Sequence, residues 1–232
     1  MLICSLMLCL TKMEIVLASR NKNKIREMQQ LLNELCVTEI TLLSLDDIGF
    51  TDEINEYGET FEENAAIKAS VPASMGYFGI SDDSGLEVDY LNGAPGVYSA
   101  RYSGEGATDE SNNEKLMSQM KDVPEEERGG AYVSVIAFSA PNDKAFYEGD
   151  SKLSAFVKDT AENVNVISFR GECRGVILDE YRGRGGFGYD PMFLVREYDK
   201  TFAQTTAEEK NAVSHRGKAM RAFAAWLNEN LK

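Results

Sequence analysis

Histidine is nearly absent from the chain: His215 is the only one in 232 residues. A zinc site built on several histidines is thereby excluded. Cysteine is scarce too. Cys4, Cys9, Cys36 and Cys173 form no C-x-x-C pair and no metal-ligand cluster, which points to a reducing, cytoplasmic location. Basic residues are outnumbered, 24 against 38 acidic, for a net charge of −14. Proteins that coat nucleic acid carry the opposite balance, so no nucleic-acid partner is expected. An anionic ligand would have to be met by a local basic patch. No apolar run is long enough to span a bilayer, so no membrane partner is expected. Met1 to Lys12 is apolar but short, without a basic n-region or a clear small-residue cleavage site, and does not read as a signal peptide. We expect residues 1–12 to be an N-terminal extension or a mis-assigned start, with Met13 as the alternative first residue. Internal repeats and low-complexity tracts are also missing. What is present is 43% apolar residues, enough for one substantial core or two lobes sharing a cleft.

The rest is organised around Ser81-Asp82-Asp83-Ser84-Gly85, read as the end of a strand that starts in Tyr77-Phe78-Gly79-Ile80. Adjacent acids repel, and neighbouring side chains of a strand point to opposite faces. Burying both without partners costs several kcal/mol. The simplest physical answer is a cation with at least one carboxylate as ligand, and carboxylate oxygens suit magnesium. The competing reading is a solvated acidic turn, for which Asp, Ser and Gly are ordinary residues.

Other stretches carry chemistry. Glu14 to Ala18 reads as a buried strand, followed by a polar loop, Ser19-Arg20-Asn21-Lys22-Asn23-Lys24, and then a helix with Ile25, Met28, Leu31, Leu32 and Leu35 at helical spacing. A basic loop before a helix N-terminus is a phosphate seat, or else a solvated helix start. It lacks the glycines of a Walker loop. Val37 to Leu43 reads as a second strand. Thr60 and Glu63 form a capping box for a helix through Asn64 and Lys68. Lys68 is positioned to reach a phosphate or to pair with Asn64 or Glu63. Thr108 to Lys121 reads as a helix, and Ala131 to Ser139, Leu153 to Val157, Val164 to Phe169 and Gly171 to Leu178 as strands, with Ala145 to Tyr147 a further candidate. These non-local pairings suggest a long mixed or antiparallel sheet. In Arg182 to Pro191 four of ten residues are glycine, framing Phe187, Tyr189 and Asp190. The two rings are placed to stack on a flat base or to plug the core. Ser214 caps a last helix whose first turn holds His215, Arg216 and Lys218. Cations there oppose the helix dipole unless an anion or a polar base edge lies nearby.

Six motifs fall in one order: Ser19-x-Asn21-x-x-Lys24, Thr60-Phe61-x-Glu63-Asn64-Ala65-x-x-Lys68-Ala69, Ser81 to Leu86, Gly93-Ala94-Pro95-Gly96-x-Tyr98-Ser99-Ala100-Arg101, Gly186 to Pro191, and Ser214-His215-Arg216. Over residues 13–230 this order resembles the inosine triphosphate pyrophosphatase family. The resemblance implies an α/β fold, with an elongated mixed sheet, flanking helices and two lobes around a nucleotide cleft, in a single domain spanning residues 13–230 and assembled as a homodimer. It implies hydrolysis of ITP, dITP and XTP to the monophosphate and pyrophosphate with magnesium. By the same resemblance Ser19, Arg20, Asn21, Lys22, Asn23 and Lys24 hold the triphosphate, with Lys68 beside them. Glu56 and Asp83 bind the metal, and Asp83 is also the base for water. Ser84 contacts substrate, and Phe187, Gly188, Tyr189, Asp190, Lys210, His215 and Arg216 read the base. The segment from about Asn142 to Val166 is longer than this pattern implies, and a hairpin on the second lobe is expected there. Two other readings stand beside this one. A Maf-type pyrophosphatase would carry paired arginines after the serine, which are missing. A nucleotide sensor would have no need of a general base.

Overall fold

The structure, a computed structural model, describes residues 12–159 and 161–231. The expectation of an extension or late start therefore lies, for residues 1–11, outside the described residues. Lys12 is the first described residue and opens β1 (Lys12–Leu17), in register with Glu39. The elements then run α1 (Lys22–Leu35), β2 (Glu39–Leu43), α2 (Phe61–Ser74), β3 (Phe78–Val88), α3 (Asp109–Met120), β4 (Gly129–Pro141), α4 (Ser151–Phe156), β5 (Val164–Ile177), β6 (Phe193–Val195), β7 (Lys200–Thr201), α5 (Ala207–Val213) and α6 (His215–Asn230).

The strands form one mixed sheet in the order β2-β1-β3-β4-β5-β6-β7, parallel across β2-β1-β3 and antiparallel from β3 onward. This is the α/β architecture that the sequence leads one to expect. One face is covered by α1 and α6, which pack Met28, Leu32, Met220 and Phe223 on Ile15, Leu17, Ile80 and Phe138. The other is covered by α2, α4 and the turn after α4, through Ala65, Ala69, Leu153 and Val157 against Val133, Val135 and Val166. A third cluster, with Leu116 and Met120 of α3 and Phe193 of β6, surrounds the far ends of β3, β4 and β5. These three strands have 11, 13 and 14 residues. At about 3.3 Å per residue they reach from the first two clusters into the third. The two lobes therefore share a continuous sheet.

Four local expectations are corrected. The acidic stretch does not end a strand: β3 runs straight through it, because β4 pairs with every residue from Gly79 to Val88. Leu153 to Val157 is not a strand but lies in α4 and the single 3-10 turn after it. Asp150 starts that helix by accepting from the Lys152 and Leu153 amides, so the long 142–166 segment adds a helix on α2 rather than a hairpin. Ala145 to Tyr147 makes no strand. Phe146 and Tyr147 instead turn into an aromatic cluster with Phe138 and Trp226. Finally, the stretches read as separate strands at Val164 to Phe169 and Gly171 to Leu178 are one strand, β5, which runs through Gly171 and ends at Ile177. A Cβ on Gly171 would lie 2.2 Å from the His215 carbonyl oxygen. The glycine is thus the point where α6 sits down on the sheet.

The site begins where β1 leaves β3. β1 meets β3 only at Phe78 to Ile80, and after the Ala18 amide bonds the Ile80 carbonyl the chain peels away. From Ser81 onward β3 has lost its β1 neighbour while β4 holds its other edge. Such a divergence of strands is a common place for a ligand crevice in open α/β sheets.

Candidate active site

Strand alternation divides the acidic pair between the two faces of the sheet. Asp82 and Ser84 face α1 and α6. Ser81 and Asp83 face α2, where the Ser81 hydroxyl donates to the Ala65 carbonyl. The Asp82 side chain is wholly buried, yet three groups reach it. Lys24 Nζ lies 2.7 Å from Oδ2, Arg216 donates to Oδ2 from Nε at 3.2 Å and Nη2 at 3.0 Å, and the Ser134 hydroxyl donates to Oδ1 at 2.7 Å. Burial alone would raise the pKa of Asp82. The charges of Arg216 and Lys24, with the hydrogen bonds, outweigh it and hold the carboxyl well below the usual range. Asp82 is thus a permanent anion that fastens α1 and α6 to the central strand.

On the opposite face Lys68 of α2 extends to Asp83 Oδ1 at 2.6 Å and to Glu56 Oε2 at 3.2 Å. Burial pulls the lysine pKa down, but the Asp83 and Glu56 charges more than restore it, so the ammonium is retained. Asp83 behaves differently from Asp82. Its burial is only partly offset by Lys68, and Glu56 and Asp82 add repulsion, so its pKa is raised. Two acids share one ammonium, which leaves one negative charge uncompensated. The chain around Glu56 is fixed by its neighbours: the Gly58 amide donates to Asn64 Oδ1, and the Thr60–Glu63 capping box starts α2. Arg20 tethers the segment upstream, donating to Asp46 and to the Phe50 and Asp52 carbonyls.

Beside Ser84 and Gly85 opens a cavity of about 150 Å³ lined by Ser99, Tyr132, Phe187, Lys210, His215 and Arg216, among others. Engineered cavities near this volume accept benzene, so the enclosed part suits one flat ring. His215 is buried and stacks on Tyr132, with ring centroids 4.9 Å apart. Burial, then the Arg216 charge, pushes its pKa down to about 3. It is therefore neutral at pH 7, and its buried Nδ1 has no hydrogen-bond partner. Lys210 donates to Asp190 Oδ2 at 2.6 Å and sits 5.2 Å from the centroid of the Phe187 ring. Asp190 Oδ2 also accepts from the Phe187 amide. This bond needs glycine at 186, where φ is +75° and a Cβ would stand 2.1 Å from the same oxygen.

The residues expected to act together fall into three sets. Lys24, Ser84 and Arg216 meet around Asp82. Glu56, Lys68 and Asp83 meet on the other face. Gly188, Asp190, Lys210 and His215 line or support the cavity. Lys68 pairs with the two acids rather than with Asn64 or Glu63. Lys22 and Lys24 stand in the first turn of α1 rather than in the loop, since Asn21 Oδ1 accepts from the Lys24 amide. Ser19 accepts from the Asn21 amide, and Lys22 is exposed; Asn23 belongs to the same turn. Arg20 is engaged with the 46–52 segment. The choice left open for the two rings is resolved: Tyr189 plugs the core, donating from its hydroxyl to the Ser99 carbonyl, whereas Phe187 is 66% exposed. Sequence reasoning missed Asp82 as an anchor, because its partners lie 52 to 134 residues away. It also missed Tyr132, Asp109 and Asn113. Asp109 was within reach, being the first residue after a visible helix cap.

The Ham1 family profile matches residues 15–226. A dITP/XTP pyrophosphatase of Geobacter sulfurreducens is 49% identical over 207 residues, covering 89% of this chain and 92% of that protein. One from Clostridium perfringens is 41% identical over 224 residues, covering 94% and 96%. The HAM1 protein of Coxiella burnetii superimposes with a TM-score of 0.78 at 38% identity, covering 94% of this chain and 99% of that one. With this fold and these matches along most of its length, the chain belongs to the Ham1 family.

Proposed function

We propose that the protein hydrolyses the purine nucleoside triphosphates ITP, dITP and XTP to the monophosphate and pyrophosphate, removing them from the nucleotide pool. The observation that carries this reading is the pair of acids, Glu56 and Asp83, drawn to one ammonium at the unpaired edge of β3, across the strand from the basic first turn of α1. The dITP/XTP pyrophosphatase relatives supply the substrate class.

The donor set suits magnesium. Among the described residues no three His, Cys, Asp or Glu side chains gather at one point. Magnesium is commonly held by one or two carboxylates and completed by water and substrate phosphates, and Glu56 and Asp83 would be its ligands here. When bound, the ion neutralises phosphate charge and polarises the α-phosphorus. Phosphoryl transfer is otherwise mostly positioning and charge compensation. Ser19 to Lys24 present a helix N-terminus and ammonium groups to the triphosphate, with Lys68 close by. Asp83, at the unpaired edge of β3 and beside Glu56, is placed to take a proton from attacking water. The departing pyrophosphate is stabilised by the lysines. Ser84 contacts the substrate beside Arg216.

The base enters the cavity beside the exposed ring of Phe187. Lys210, neutral His215 and Arg216 offer donors to a 6-keto oxygen, within a wall made by Gly188, Tyr189 and Asp190. Adenine would set an amino group against those donors and leave them unpaired, at a cost of about 2–5 kcal/mol. The protein works as a cytoplasmic homodimer in this reading. A panel of ITP, XTP, dTTP, UTP and ATP with magnesium tests it. Pyrophosphate and the matching monophosphate should form from ITP and XTP well ahead of the other three. Release of inorganic phosphate instead would assign a different chemistry.

A further inference from the structure

Asp109 and Asn113 are one helical turn apart on α3 and share a face. Both reach the same residue of the glycine-rich loop. Asp109 Oδ2 accepts the Gly188 amide at 2.7 Å, and Asn113 Nδ2 donates to the Gly188 carbonyl at 3.0 Å. Gly188 is thereby gripped at both ends, in a left-handed conformation with φ +60°. The two residues that follow it are also secured: Tyr189 by its hydroxyl to Ser99, and Asp190 by Lys210. α3 is itself fastened to the opposite cavity wall, since Asn112 accepts from the Ser103 amide and donates to the Ala100 carbonyl. The Phe187 side chain is left 66% exposed beside the cavity it lines.

From this geometry we propose that Asp109 and Asn113 are positioning residues for base selection: they clasp Gly188 and so set where Phe187 stands relative to the bound purine. Asn113 is buried and holds the carbonyl out of water, while the exposed Asp109 carboxylate makes a charge-assisted bond to the amide. Among the described residues neither side chain is hydrogen-bonded to the acids of β3, and both bond to Gly188, so loosening the clasp is expected to act on the base rather than on the phosphate end. The expected signature is a change in KM and in base preference with kcat for ITP little altered.

The proposal rests on the substrate reading above, and its test separates the two. Steady-state constants for ITP and ATP are measured for the wild type, Asp109→Ala, Asn113→Ala and Asp109→Asn, and amide hydrogen exchange is followed across residues 183–192. Each alanine variant should raise KM for ITP about fivefold or more and lower the ITP-to-ATP ratio of kcat/KM by a similar factor. Faster exchange should appear in the loop, with the rest of the protein unchanged. Asp109→Asn, which keeps an acceptor oxygen, should restore most of both. Unchanged KM and preference in the two alanine variants overturns the proposal, as does a loss confined to kcat. A general rise in exchange with the preference intact also overturns it, because that marks a purely structural role. Failure of the wild type to cleave ITP at all strikes the substrate reading; the local exchange response then still decides whether the clasp exists.

Discussion

At the scale of single residues, two adjacent aspartates acquire opposite characters from the side of the strand on which they fall. Asp82, gripped by Lys24, Arg216 and Ser134, is an anchor, while Asp83, under-compensated by Lys68, is the proposed base. Asp83→Asn should lower kcat by about two orders of magnitude or more, the usual worth of a general base, while circular dichroism stays that of the wild type. Near-normal turnover would remove its role. Because the Asp83 pKa is raised in the metal-free protein, titration of its carboxyl without magnesium, followed by NMR, should give a midpoint above the ordinary aspartate range; a midpoint within or below that range would mean that Lys68 fully compensates its burial. His215 makes a separate prediction. Its folded pKa of about 3 lies below its ordinary 6.5, so folding favours the neutral ring. Its stability contribution is complete above about pH 6.5 and is lost as pH falls toward 3. Denaturation at pH 7, 6, 5 and 4 should therefore show His215→Gln losing less stability with acid than the wild type. Parallel curves would mean that the ring is not held neutral by burial. Two acids in a row pointed to at least one carboxylate ligand; the choice of Asp83 came from the family resemblance, and which acid was buried was not legible. The partners of Asp82 lie on β4, α1 and α6, and no local pattern brings them together.

At the scale of elements, helix starts were the most readable features, since Thr60, Thr108 and Ser214 all cap helices where their hydroxyls predict it. The misreadings came from short apolar runs. Leu153 to Val157 has too few residues to separate period 2 from period 3.6, and Asp150 was the cap signal that could have decided it. Gly171 misled in another way, because a glycine required for helix–sheet contact looks like a strand breaker. That contact makes a prediction. Gly171→Ala must push the first turn of α6 away from β5, displacing His215 and Arg216 together. It should cost about 1–3 kcal/mol of stability, as overpacking does, and should raise KM for ITP. Unchanged melting and kinetics would show that α6 has slack at this point.

At the scale of the whole molecule, long strands crossing both lobes join the proposed phosphate end of the site to the proposed base end. The extent of the sheet was legible as a series of non-local strand patterns, but its continuity was not. The proposed homodimer should give a solution mass by light scattering of about twice the 25.7 kDa of one chain; a mass of one chain would rule the dimer out. The central claim is that water, relieved of a proton by Asp83, attacks the α-phosphorus of an oxopurine triphosphate. Hydrolysis of ITP in ¹⁸O-water with magnesium, followed by mass spectrometry of both products, tests it most directly. The account predicts one heavy oxygen in inosine monophosphate and none in pyrophosphate. Label in pyrophosphate, or inosine diphosphate with inorganic phosphate as the products, would contradict it.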